Sequence, residues 1–240
     1  MSAENFDLVK IIFGLTGGLA LFIYGMNLMG DGLQKVAGEK LRRIIEILTS
    51  NPLMGIIVGA LVTALMQSSS ATTVMVVGFV GARLMTLPQA IGVIMGANIG
   101  TTMTAWLVSI KIGHYAYPIA AIGFIFYFFF KKKMFRHLGQ TVFAFGLLFI
   151  GLNTMGEVMK PLAKSEEFSN LIFKLGDQPV IGLLIGTVST VIVQSSSAII
   201  GVLQQLASQP GTNPTEPLIN LNQALPVLFG SNIGTTITAI

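Results

Sequence analysis

MQSSSATT (66–73) and VQSSSAII (193–200) set the same polar string, Gln-Ser-Ser-Ser-Ala, into the middle of two long apolar runs. The first run is uncharged from Ile47 to Ala82 and the second from Gln178 to Thr215. A membrane-spanning helix takes about 20 residues. Each run is too long for one span and too short for two full spans with a turn between them. Each carries a proline near its start, Pro52 or Pro179, a residue type suited to the first turn of a helix. A helix from Pro52 to Met66 rises roughly 22 Å, short of the ~30 Å hydrocarbon thickness. The pattern predicts a re-entrant hairpin in each run: a half-helix in, a polar tip, a half-helix out. Irregular backbone at that depth needs protein or a water-filled cavity around it.

The rest of the chain supports a membrane setting. Of 240 residues, 52% are hydrophobic and 10% charged, with a mean hydropathy of +0.77. A soluble domain has about 25% charged residues, so the composition predicts an integral membrane protein. The apolar blocks have helix length, unlike the ~10-residue alternating segments of a membrane barrel. Ile11–Gly30, Ile112–Phe130 and His137–Gly156 fit one span each, and Leu84–Ile110 fits one long or broken span. The run reaching Ile240 reads as the start of another, so the chain is expected to stop short of the natural protein. The N-terminus lacks the basic segment of a cleaved leader, and the first block is expected to be retained. With no cysteine, disulfide and thiolate–zinc chemistry are excluded.

The two halves repeat. Gly25, Asn27, Gly30 and Asp31 correspond to Gly151, Asn153, Gly156 and Glu157. NPLMGIIVGALVTALMQSSSA (51–71) matches QPVIGLLIGTVSTVIVQSSSA (178–198), pairing Thr63 with Thr190. GANIGTT (96–102) matches GSNIGTT (230–236). We therefore divide the chain into a first repeat over 1–136 and a second over 137–240. If the hairpins do not cross, three spans precede the second copy, and an odd number inverts it. The fold expected is all-α: two inverted-topology repeats, each with a spanning helix, a re-entrant QSSS hairpin and a broken NIGTT helix. Inverted repeats of this kind characterise many secondary transporters. The segment Asp31–Ser50 is amphipathic and expected along the interface. Its basic residues at 35–43, with Arg83 and the basic loop 131–136, give nine of the fourteen Lys and Arg on one side, which predicts a cytoplasmic face. The basic residues thus mark topology in a cell membrane and not a nucleic-acid surface.

The motifs suggest what chemistry the tips offer. A break between half-helices presents unsatisfied N–H groups at the start of the second, which favour an anion. The end of the first presents free carbonyls that suit a hard cation such as sodium. In NIGTT, glycines on both sides of asparagine permit unwinding, while Asn and Thr supply oxygens. No lysine follows, so it is not a nucleotide-binding loop. The GxxxG pairs Gly55/Gly59 and Gly182/Gly186 read as packing positions. Hairpins and NIGTT segments contain no Asp, Glu, Lys or Arg, which disfavours proton coupling through a buried carboxylate. The only histidines, His114 and His137, lie at span ends, and no base neighbours the serines, so an enzyme is not expected.

Paired QSSSA and NIGTT motifs in such a repeat resemble those of the type II sodium-dependent phosphate cotransporters, especially the bacterial branch. The resemblance covers nearly the whole chain. It implies sodium-coupled import of inorganic phosphate by alternating access, with Na+ as coupling ion and no organic cofactor. On the matching positions it implies phosphate binding by Ser68, Ser69, Ser70, Ser195, Ser196, Ser197, Asn98 and Asn232. Sodium binding would fall to Gln67, Gln194, Thr72, Thr73, Thr101, Thr102, Thr235 and Thr236. The second tip departs from the first: Ile199 and Ile200 stand where Thr72 and Thr73 supply hydroxyls, so the halves cannot bind ions identically. Bacterial relatives often continue into further spans and a PhoU-like helical domain or partner. Two other readings stay open: a sodium-coupled carrier of another oxyanion, and a membrane-embedded subunit that senses phosphate.

Overall fold

Apolar runs punctuated by Pro, Gly and capping side chains become a chain of helices. A computed structural model describes residues 8–37, 51–110, 112–163, 165, 167–168, 172, 178–211 and 216–237. In order, these hold α1 (Leu8–Ala37), α2 (Pro52–Met66), α3 (Ser69–Gly81), α4 (Leu87–Ser109), a 3-10 turn (Gly113–Tyr115), α5 (Ala116–Phe129), α6 (Lys133–Ala163), α7 (Pro179–Val193), α8 (Ser196–Ala207) and α9 (Leu221–Ile237). Among the described residues the one β contact is an isolated bridge between Pro210 and Pro217. Among the described residues three helices are long and apolar enough to cross a membrane: Val9–Val36, Leu87–Ser109 and Lys133–Ala163. Of the amphipathic segment expected over Asp31–Ser50, the first part continues α1 to Ala37. Residues 38–50, including much of the basic loop 35–43, lie outside the described residues.

Ile112–Phe130 gives a continuous apolar helical stretch, Gly113–Phe129, in which the 3-10 turn runs directly into α5. One expectation is corrected. The NIGTT helices are not broken: α4 runs unbroken through Asn98–Thr102, and α9 through Asn232–Thr236. Their glycines serve close approach instead of unwinding. A Cβ on Gly100 would lie 2.5 Å from the Ala60 carbonyl oxygen and 2.8 Å from Thr63 Cβ. One on Gly234 would lie 2.6 Å from the Thr187 carbonyl oxygen and 2.7 Å from Thr190 Cβ. Gly55 and Gly59 meet α4 at Val93, and Gly186 meets α9 at Val227. Small residues that let backbones touch are how membrane helices gain contact without a hydrophobic driving force. Thus α2 lies on α4, and α7 on α9, as two parallel pairs with matching glycine stripes.

The pairs are joined by α1 and α6, which pack extensively on each other. Their register is antiparallel. Going up α1, Gly14 meets Val158, Gly18 meets Met155, Gly25 meets Leu148 and Gly32 meets Thr141. The contact is also reciprocal. Matching Gly25 to Gly151 makes Phe22 the counterpart of Leu148. Gly25 meets Leu148, and Gly151 meets Phe22. A surface that contacts its own copy in this way has local two-fold symmetry. The buried core at this seam joins Phe22, Met26 and Met29 to Leu148, Leu152 and Met155, with Ala198 of α8 against them. A second core unites Val58 and Val62 of α2, Val76 and Phe79 of α3, and Val93 of α4. α5 returns along α6, where Gly123, Gly139 and Gly146 set the close spacing.

Candidate functional site

Each QSSS tip is a two-residue break built the same way. α2 ends at Gln67, whose φ/ψ of 54°/26° is left-handed; α7 ends at Gln194 with 58°/24°. The next residue is extended, Ser68 at −144°/101° and Ser195 at −151°/108°. Each serine caps the outgoing half-helix: Ser68 Oγ accepts from Ala71 N and Ser195 Oγ from Ala198 N, both at 3.2 Å. A left-handed helix end favours glycine, and a residue with a Cβ there costs roughly 1–2 kcal/mol. Only three described non-glycine residues have positive φ: Gln67, Arg83 and Gln194. Strain concentrated at two equivalent polar tips marks them as functional candidates.

The first half-turn of α3 and of α8 has N–H groups with no preceding carbonyl of its own helix, set beside Ser69, Ser196 and Ser197, which are all buried. At the ends of α2 and α7 the carbonyls of Ala64, Met66 and Val191 take side-chain donors, from Gln67, Gln34 and Gln194. The arrangement offers an anion hydroxyls and N–H donors, and offers a hard cation carbonyl and amide oxygens. No formal charge lies on α2, α3, α4, α7, α8 or α9, so any charge there must arrive with the ligands. Among the described residues no cluster of His, Asp and Glu could hold a metal.

The first tip is held from outside its hairpin. Gln67 Nε2 donates to the Ala64 carbonyl at 2.5 Å, and Thr104 Oγ1 of α4 donates to Gln67 Oε1 at 2.7 Å. Gln34 Nε2 of α1 donates to the Met66 carbonyl at 3.2 Å. Inside the hairpin, Thr63 Oγ1 donates to Thr72 Oγ1 at 2.9 Å, and Thr72 Oγ1 donates on to the Ser68 carbonyl at 3.1 Å. Thr73 Oγ1 donates to the Ser69 carbonyl at 2.8 Å.

The second tip differs. Ile199 replaces Thr72, and the fully buried Thr190 hydroxyl, counterpart of Thr63, has no hydrogen-bond partner. Gln194 is exposed and bonds only back to the Val191 carbonyl among the contacts described. Gly30 of α1 faces the Met66 carbonyl at the first tip, whereas its counterpart Gly156 faces the Gln205 side chain on α8. α8 instead reaches the first repeat, where Gln204 Nε2 donates to the Ala105 carbonyl at 3.0 Å.

The expected NIGTT ligands divide into two sets. Thr101 and Thr235 are buried and donate to the carbonyls of Ala97 and Ser231, one turn back. Asn98, Thr102, Asn232 and Thr236 are exposed, on the faces turned away from α2 and α7. They are not brought to the tips. Sequence reasoning missed Thr104 and Gln34. Thr104 follows Thr101 by three residues and so lies near it on one helix face, a spacing that could have marked it. Gln34 carried no signal beyond being an uncharged polar residue in the first apolar helix.

Comparisons with known proteins give the family of the chain. The Na+/Pi-cotransporter family model matches residues 21–157 and again 149–240, so it covers most of the chain in two copies. The chain is 32% identical to "Uncharacterized protein YqeW" of Bacillus subtilis over 96% of its own length and 72% of that protein. It is 26% identical to "Putative inorganic phosphate export protein YjbB" of Escherichia coli over 94% of its length, but spans only 40% of that relative. It is 40% identical to human "Sodium-dependent phosphate transport protein 2B" over 98 residues, 40% of this chain and 14% of the human one. No solved structure matches. With two tips of one geometry and a family model that fits the chain twice, the protein belongs to the Na+/Pi-cotransporter family.

Proposed function

We propose that this chain forms the core of a sodium-coupled carrier that imports inorganic phosphate across the cell membrane by alternating access. The observation that carries the reading is the pair of identically built helix breaks at QSSS, each with a strained glutamine and a capping serine. Half-helix ends that face substrate and coupling ion are a recurrent transporter device. Phosphate is held by Ser68–Ser70, Ser195–Ser197 and the adjacent N–H groups. Sodium is held by Gln67, Gln194 and the carbonyls beside them, and neutralises the anion in a site without fixed charge. Asn98, Asn232, Thr102 and Thr236 would join only in a conformation that brings the outer faces of α4 and α9 inward. The repeats are inverted in the membrane, and the hairpins re-enter without crossing. The antiparallel, reciprocal packing of α1 on α6 supports this reading.

The test is uptake of radiolabelled phosphate into vesicles holding the purified protein, with and without an inward sodium gradient. Accumulation should collapse when potassium replaces sodium. Ser69→Ala and Ser196→Ala should each weaken phosphate binding at unchanged expression, and wild-type affinity in both would remove the serines from the site. A second reading, export, rests on the printed name of the Escherichia coli relative. Vesicles preloaded with phosphate separate the two: sodium-independent efflux as fast as uptake would favour export. Sulfate and arsenate competition tests whether phosphate is the preferred oxyanion.

A further inference from the structure

The first tip carries two contacts that neither the hairpin's own fold nor the phosphate reading requires, and both fall on the break itself. Gln67 has one amide nitrogen and one amide oxygen. The Ala64 carbonyl can only accept, so the nitrogen faces it. The oxygen therefore faces Thr104, and Thr104 must be the donor, at 2.7 Å. Thr104 is buried, 2% exposed, and its single hydroxyl proton is committed to this bond. The Gln67 side chain is thus fixed at both ends, with one lone pair of its oxygen left over. The neighbouring residue is held from the other side, because Gln34 Nε2 donates to the Met66 carbonyl. A cation ligand whose orientation is set by a hydrogen-bonded neighbour binds more tightly than a free one.

We propose that Thr104 and Gln34 are positioning residues for sodium at the first tip. Thr104 orients the Gln67 amide oxygen and Gln34 orients the Met66 carbonyl, the two cation-ligand oxygens on adjacent residues of the break. This rests on the sodium-coupled reading above. It adds two residues outside both motifs, on two helices that are not part of the hairpin. It also gives a direction to coupling. A cation that draws on these oxygens draws on α1 and α4 together, so its binding fixes the hairpin against both.

The experiment uses the full chain and two readouts: sodium activation of phosphate uptake in vesicles, and the sodium concentration that raises the melting temperature of the detergent-solubilised protein. Thr104→Val keeps the shape and removes the donor. It should move half-activation by sodium, and the sodium midpoint of the thermal shift, up about tenfold, the low end of what loss of such a supporting bond does to a metal site. Thr104→Ser keeps the donor and should stay within about twofold of wild type, on the same scale. Gln34→Leu should shift both readouts in the same direction. Gln34 is only partly buried, so this variant gives a folded second test should the buried valine fail to accumulate. Thr16→Val is the matched control. Its hydroxyl serves only the Ile12 carbonyl of its own helix, and it should change neither midpoint. Wild-type sodium dependence in Thr104→Val and Gln34→Leu overturns the proposal. So does equal damage from Thr104→Ser and Thr104→Val, which would assign the effect to packing. A wild-type protein indifferent to sodium in both readouts overturns the sodium-coupled reading itself, and the inference with it.

Discussion

Gly100→Ala is the substitution that best separates the two meanings of a glycine in NIGTT. If Gly100 were there to unwind the helix, alanine would simply favour helix by about 1 kcal/mol. The structure assigns the opposite sign. The added methyl would sit 2.5 Å from the Ala60 carbonyl oxygen, 2.8 Å from Thr63 Cβ and 3.0 Å from Ala64 N. Backbone on α2 cannot rotate away, so α2 and α4 must part by roughly 0.5–1 Å to restore ordinary contact, an overpacking that costs about 1–3 kcal/mol. Set against the gain in helix propensity, the net is about 1 kcal/mol destabilising. Gly78→Ala supplies the reference, because nothing lies within 4 Å of a Cβ there, and it should stabilise by about 0.5–1 kcal/mol. The two variants should therefore differ by about 2 kcal/mol, which for a chain of this size is roughly 4–8 °C in melting temperature. The same displacement acts on Thr104, one turn further along α4, and stretches its bond to Gln67. Sodium should stabilise Gly100→Ala less than wild type. The assay is the thermal unfolding of purified protein in detergent at several sodium concentrations. A Gly100→Ala variant that melts at or above Gly78→Ala would refute close packing as the role of the NIGTT glycine.

The same tips support three further expectations. Thr190→Val removes a buried hydroxyl without a partner and should raise stability by about 1 kcal/mol, whereas Thr63→Val breaks the bond to Thr72 and should lower it by about as much; equal melting shifts would contradict the asymmetry of the two hairpins. Ser68→Ala and Ser195→Ala each lose the helix cap and should cost about 1 kcal/mol, so their effect on phosphate affinity must be measured beside unfolding, and Ser69→Ala should weaken binding without that loss. Gln194→Gly relieves a left-handed backbone and should raise the melting temperature by the equivalent of about 1 kcal/mol. The same variant should abolish sodium-driven uptake, and uptake at the wild-type rate would remove Gln194 from the sodium site.

How much of this was legible follows from which features are local. The helix–break–helix pattern at each QSSS was, because half-helix length, an opening proline and a central polar string all sit within one stretch of chain. So was the inequality of the tips. Ile199 in place of Thr72 is visible in the string, and its cost is the unpartnered Thr190 hydroxyl. The continuous NIGTT helices were not legible. Glycine weakens a helix in isolation yet is required where another backbone presses on it, and only the partner decides between these. The GxxxG spacing marks Gly55 and Gly59 for packing. Gly96 and Gly100 have the same spacing on the facing helix, but as glycines on both sides of Asn98 they also fit an unwound segment. The structure makes the two stripes one contact. That contact explains why the missed residues matter. A tight, parallel α2–α4 pair keeps Thr104 level with the end of α2, where the half-helix stops and Gln67 turns left-handed. The glycines thus set the distance across which a threonine on one helix can orient an amide on the other. Packing and candidate site are the same few residues seen at successive turns.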